Sequence, residues 1–94
     1  MTKTSTMAPI ESLRNLGPKS AQWLAAIDVY TYDDLQKLGP VTAYRLLQSA
    51  GYKVSLSLLY AMYGALEDLV WNQLPQTTKD DLIAALNDQP SPFA

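Results

Sequence analysis

The sequence predicts an all-α domain: two tandem copies of one small helical unit, then a long central helix and a C-terminal helix. Three observations carry this. Residues 13–24, Leu13-Arg14-Asn15-Leu16-Gly17-Pro18-Lys19-Ser20-Ala21-Gln22-Trp23-Leu24, recur 22 positions later as residues 35–46 with six of twelve identical. An internal repeat of this kind marks a duplicated supersecondary unit. Apolar residues return at helical spacing between Gly and Pro, and no period-two alternation bounded by turn residues occurs.

Residues 1–8 are small and polar and read as a disordered tail. Pro9 opens a first short helix, Ile10 to Leu16, with Ile10 and Leu13 facing inward. Gly17-Pro18 stops it. Pro18 has its φ set for a helix and lacks an N–H that position N1 would not use. The second helix therefore starts at Pro18 and runs to about Ile27, with Ala21, Leu24 and Ala25 on one face. Asp28-Val29-Tyr30 is a link.

Thr31-Tyr32-Asp33-Asp34 has the form of a capping box, with Asp for the more usual Glu. It starts a helix from Tyr32 to Leu38, whose first-turn acids suit the helix dipole. Gly39-Pro40 repeats the hairpin. Val41 to Ala50 forms the next helix, with Ala43, Leu46 and Leu47 inward and Gly51 as its stop.

Ser55 is placed to cap the longest helix, Leu56 to about Val70, which is apolar on nearly every face. Such a helix is either central in the fold or buried against a partner. Pro75 and Thr77-Thr78 open a last helix to about Asn87, with Leu82, Ile83 and Leu86 as its stripe. Asp80-Asp81 read as charges at its start. The domain thus spans residues 9–88, and residues 89–94 form a second loose tail.

Composition narrows the function. With 94 residues the chain fits one domain, and such a domain buries roughly 60–65% of its unfolded surface. It has no cysteine and no histidine. A disulfide framework, a thiolate metal site and the commonest catalytic base are thereby removed. Neither a metal nor any other cofactor is implied, and an enzyme is the least favoured class: no glycine-rich nucleotide loop is present, and no nucleophile–base pair can be built on His or Cys. No apolar run reaches the 18 or so residues of a membrane span. The N-terminus lacks a signal-peptide core, so the expected place of action is the cytoplasm. The net charge is −2. Residues 9–53 carry five basic and four acidic residues, whereas residues 54–94 carry one basic and five acidic. Phosphate contact, if any, belongs to the first half, and an acidic total argues against strong non-specific nucleic-acid binding.

A glycine turn entering a helix leaves backbone N–H groups aimed the same way, at the positive end of the dipole. Gly17, Lys19 and Ser20 line the first such place, with Lys19 adding charge and Ser20 a hydroxyl. Gly39 and Thr42 fill the second, where Val41 replaces Lys19 and Arg45 lies one turn on. Asn15, Arg14 and Lys37 complete the candidate phosphate-binding set. These residues resemble the helix-hairpin-helix motif of DNA repair and replication proteins, apolar-x-Gly-apolar-Gly-x-x-x-Ala. Leu16-Gly17 with Ala21, and Leu38-Gly39 with Ala43, match it. The motif's first glycine falls on Asn15 and on Lys37. Asn tolerates a left-handed backbone and Lys does not, so the second copy departs further. The resemblance implies that the hairpin backbone grips DNA phosphates without reading sequence.

A narrower resemblance covers about residues 10–87. Leu16-Gly17-Pro18-Lys19, Leu58-Leu59-Tyr60-Ala61 and Trp71-Asn72-Gln73-Leu74-Pro75 together are similar to the C-terminal domain of the TfoX/Sxy family, bacterial regulators of natural competence. Larger members also carry an N-terminal α/β domain, which these 94 residues do not include, so the chain is expected to be either a stand-alone C-terminal-type protein or an excised domain. The role implied for them, switching on competence genes beside a cyclic-AMP-responsive activator, is therefore not carried over whole. What carries over is the hairpin at Gly17 to Ser20.

Other residues have plainer readings. Trp23, Tyr44, Tyr60, Tyr63 and Trp71 are placed for core packing, or for stacking on bases. Tyr30, Tyr32 and Tyr52 sit near links, where they are expected to be partly exposed and placed to flank a partner groove. The expected function is a non-enzymatic regulatory module touching DNA weakly through phosphates. The alternative is a protein-interaction or self-association module that uses helix 56–70, docks on a transcription protein or a second copy, and makes no nucleic-acid contact.

Overall fold

A computed structural model of the chain describes residues 8–88. Five α-helices follow one another: α1 Pro18–Ala25, α2 Tyr32–Leu38, α3 Pro40–Ser49, α4 Leu56–Glu67 and α5 Gln76–Asp88. Two 3-10 turns, Ile10–Ser12 and Trp71–Gln73, complete the regular structure. The described residues form an all-α fold without a strand. The two tails expected at the ends fall outside them, except that Ala8 belongs to the fold and packs on its core.

The duplicated units meet at their beginnings. Pro9 and Thr31 form an isolated antiparallel bridge. Ile10 N–H donates to Tyr30 O at 3.2 Å and Tyr32 N–H donates to Ala8 O at 2.9 Å. Each of these bonds is the other's counterpart under the 22-residue offset.

The copies then differ. In the second, Thr31 Oγ1 accepts from the Asp34 amide and the Asp34 carboxylate accepts from the Thr31 amide, the reciprocal capping box the sequence predicts. Lys37 Nζ lies 2.9 Å from Asp33 Oδ2 one turn away, and α2 forms in full. In the first copy, Pro9 and Ser12 occupy the places of Thr31 and Asp34. Ser12 Oγ donates back to Pro9 O at 2.7 Å instead of capping a helix, the local competition that disfavours helix. The helix expected from Ile10 to Leu16 is therefore only a 3-10 turn, followed by a reversal at Asn15, φ 73°. Ile10 and Leu13 face inward as expected.

Both Gly-Pro junctions start helices with Pro at the first turn. The first runs two residues shorter than expected. Asp28 turns left-handed at φ 64°, and Val29 N–H closes on Leu24 O at 2.9 Å. Gly51, φ 97°, follows α3 as its stop.

Helix α4 lies at the centre, packed against α2, α3, α5 and the Trp71–Gln73 turn. Leu59, Ala61, Met62, Gly64 and Ala65 are buried along it. Each large apolar side chain taken fully from water contributes about 1.5–3 kcal/mol. Its burial, with that of Ile10, Leu24, Leu35 and Leu47, makes α4 the core element. It ends at Glu67 rather than near Val70, because Asp68 adopts φ 59° and Leu69 N–H turns back to Gly64 O at 2.8 Å. Ser55 precedes it without a side-chain cap bond. Asp80 and Asp81 lie beyond the first turn of α5, not at its start; Asp80 accepts from Gln76 Nε2 at 2.9 Å.

Candidate nucleic-acid interface

The first hairpin is built from residues 13–21. Leu13 and Leu16 are buried and anchor it to the core. Leu16 N–H closes on Leu13 O at 3.2 Å, and Ala21 N–H closes on Gly17 O at 2.9 Å. Between these bonds Gly17 is extended, with φ −139° and ψ −167°, and caps α1 without a side chain. The amides of Lys19 and Ser20 fall in the first turn, where α-helical N–H groups have no intrahelical acceptor. They open toward the dipole's positive end. A methyl group added at Gly17 would meet nothing within 4 Å. Lys19 is exposed beside these amides, its Nζ 5.3 Å from the centre of the Trp23 ring. Trp23 in turn lies 5.2 Å from Tyr52, the rings tilted by 43°.

The second hairpin is tighter. Gly39 ends α2 by donating to Leu35 O at 2.8 Å and starts α3 by accepting from Ala43 N–H at 3.0 Å. Its φ of 88° and ψ of 150° are open essentially to glycine alone. Thr42 is half-buried in the first turn of α3, and Val41 stands where Lys19 stands in the first copy. The two hairpins thus share a sequence pattern but not a backbone path. The left-handed residue is Asn15 in one and Gly39 in the other.

The remaining candidate residues are occupied within the fold. Arg14 Nε contacts Asp68 Oδ1 at 2.9 Å. Lys37 pairs with Asp33, which raises its pKa through the hydrogen bond and charge of that carboxylate. Arg45 is half-buried between α3 and α5; its Nη1 donates to Leu86 O at 2.9 Å, while its Nε is buried without a partner. Asn15 Nδ2 donates to Leu69 O at 2.7 Å and, more weakly, to Ala61 O at 3.4 Å. Asn15 Oδ1 accepts from Trp71 N–H at 3.3 Å. The structure therefore gathers Gly17, Lys19 and Ser20 at one place, ties Asn15 and Arg45 into the fold, and leaves Arg14 and Lys37 at the surface in ion pairs with Asp68 and Asp33.

The chain matches the TfoX C-terminal domain over residues 6–86. It belongs to the TfoX C-terminal domain family. A crystal structure of an uncharacterized protein from Listeria monocytogenes is similar, with 28% identity and a TM-score of 0.75 over 81% of this chain and 86% of that one. No functionally curated protein matches.

Two residues of this TfoX C-terminal domain support the hairpin without having been singled out by the sequence. A methyl group at Gly64 would fall 2.5 Å from both Asn15 Nδ2 and Leu69 O. Asp68 receives Arg14. A glycine within an otherwise apolar helix is the signal that a backbone or side chain approaches closely. Aromatic placement is mixed. Tyr44 is buried, and Trp23, Tyr60 and Tyr63 pack half-buried against the core. Tyr32 and Tyr52 are half-buried, in keeping with the partial exposure expected of them, and Tyr32 OH donates to Leu66 O at 3.0 Å. Tyr30 and Trp71 are exposed, at 56% and 37%. Among the described residues no helix is long and apolar enough to cross a membrane.

Proposed function

We propose that this TfoX C-terminal domain is a small non-enzymatic regulatory module acting in the cytoplasm, in transcriptional control linked to competence. On this reading it touches DNA through phosphates at the first hairpin. The observation that carries the reading is Lys19, exposed beside the uncapped first turn of α1 with Gly17 open to close approach. Arg45 is tied to Leu86 O between helices, and Arg14 and Lys37 share their charge with carboxylates in exposed ion pairs of small strength, so few phosphates are neutralised. Affinity is then weak, with a log–log salt slope of roughly −1 to −2 and little sequence preference.

Fluorescence anisotropy of a labelled duplex, titrated at low and at physiological salt, tests this. Saturable, salt-sensitive binding that Lys19→Glu abolishes in a folded protein is expected. Equal binding by Lys19→Glu would sink the site. No binding at low salt would sink the DNA reading.

A second reading, docking on a protein or on another copy, rests on Leu69 and Trp71, which are 44% and 37% exposed at the corner after α4. Along α4 itself Leu59, Ala61, Met62 and Ala65 are core, Leu58, Tyr60, Tyr63 and Leu66 are half-buried, and Leu56 at its start is exposed. A sedimentation series across a wide concentration range reads self-association directly, and constant mass removes that half of the reading.

A further inference from the structure

We infer that Asn15 is a positioning residue, which fastens the first hairpin to the corner of residues 68–71 and so sets the geometry of the Gly17–Ser20 turn. The inference rests on the phosphate reading of that turn. Asn15 lies two residues before Gly17 and takes the left-handed conformation, φ 73°. Its short amide reaches across 54 residues of sequence to Leu69 O and 56 to Trp71 N–H. Arg14, its neighbour, reaches Asp68 from the same stretch of chain. Both residues leading into the hairpin are therefore held by consecutive parts of one corner.

Only asparagine meets the three demands together on so short a side chain. It tolerates positive φ, donates to a carbonyl and accepts from an amide. Aspartate would set a carboxylate against Leu69 O. Glycine would keep the backbone and lose the bonds. Gly64 leaves the room: any side chain there meets the Asn15 amide. The second copy has no counterpart. Its equivalent residue, Lys37, is helical and is paired with Asp33 on its own helix. The corner that holds Asn15 also exposes Leu69 and Trp71, so disturbance of that surface is transmitted to the first hairpin and not to the second.

Amide hydrogen exchange in the intact protein tests the fastening independently of DNA. The Leu16 and Ala21 N–H groups close the first hairpin, and Ala43 N–H closes the second on Gly39 O. In Asn15→Gly, and separately in Asn15→Asp, exchange at Leu16 and Ala21 is expected to quicken roughly tenfold while Ala43 is unchanged, the loss of about one or two net hydrogen bonds. A merely structural role would quicken all three together, and that result, or no change, overturns the inference. Should Asn15→Gly fail to fold, Asn15→Asp removes the donor with the backbone preference kept. Duplex affinity is the second readout: a drop of about tenfold is expected in each variant, and undiminished affinity overturns the positioning role. A wild-type protein that binds no duplex refutes the phosphate reading instead, and with it the role in binding, while the exchange pattern still decides whether the fastening exists.

Discussion

Pro9 and Thr31 face each other across an antiparallel bridge, and they are the same position of the two repeats. The bonds on either side, Ile10 N–H to Tyr30 O and Tyr32 N–H to Ala8 O, exchange under the 22-residue offset. A local twofold relation therefore joins the copies where each begins. It does not persist. Thr31 starts a capped helix and Pro9 starts a 3-10 turn, so the paths into the two Gly-Pro junctions diverge within one turn.

The cap is the cause, and it can be removed. Thr31→Ala deletes the acceptor for the Asp34 amide and is expected to cost about 1 kcal/mol, within a range of about 0.5–2. For a domain of this size that lowers Tm by roughly 4–8 °C per kcal/mol. Thr31→Ser should melt near the wild type. An unchanged Tm in Thr31→Ala would mean that packing alone holds α2.

Asp34 adds a pH dependence of known sign. The Tyr30 amide chiefly holds its carboxyl below the ordinary 3.8; burial, next in size, opposes it, and the amide and hydroxyl of Thr31 and the charge of Lys37 add to the lowering. A folded-state pKa below the unfolded one gives stability present above the unfolded value and lost as pH falls through the folded one. The contribution is thus full at neutral pH and disappears below 3.8. Urea midpoints from pH ~7 down to ~2.5 should fall less steeply in Asp34→Asn than in the wild type. Parallel curves would remove Asp34 from the acid sensitivity.

These features were legible in sequence because they are local. Thr-x-x-Asp, Gly-Pro and the positive φ of Gly51 depend on a few neighbouring residues, and so does the tolerance of Asn15 for a left-handed backbone. The fates of Arg14, Asn15 and Arg45 were not legible. Arg14 and Asn15 find Asp68 and Leu69 from more than fifty residues away, and Arg45 finds the end of α5. A basic residue tied between helices, as Arg45 is, no longer counts toward a phosphate site, whereas one in an exposed ion pair loses little. The early end of α4 has the same origin. Asp68 and Leu69 are captured by Arg14 and Asn15, and no local stop signal precedes them.

Helix α4 has two readings in sequence, core or docking face, and one substitution separates their energies. Met62 is fully buried. Met62→Ala should cost about 2–5 kcal/mol through lost burial and a residual cavity. That is a large part of the roughly 5–14 kcal/mol available to a chain of this length. A urea midpoint shift worth less than about 1 kcal/mol would be inconsistent with a core this well filled.

The two hairpin glycines offer the sharpest separation of folding from binding. Gly39 sits at φ 88° and ψ 150°, a region that costs a side chain of order 1–3 kcal/mol, so Gly39→Ala should lower stability by that amount through backbone strain. Gly17 is extended, and a methyl there meets open space; Gly17→Ala should change stability by no more than about 1 kcal/mol, alanine's poorer capping offset in part by reduced unfolded-state freedom. What Gly17→Ala does change is the clearance over the first-turn amides. If a phosphate approaches them closely, duplex affinity in that variant falls although the melting curve hardly moves. If affinity and Tm are both unchanged, the glycine serves only the path of the chain. An affinity loss in Gly39→Ala that merely follows its loss of folded protein would then leave the first hairpin as the binding element.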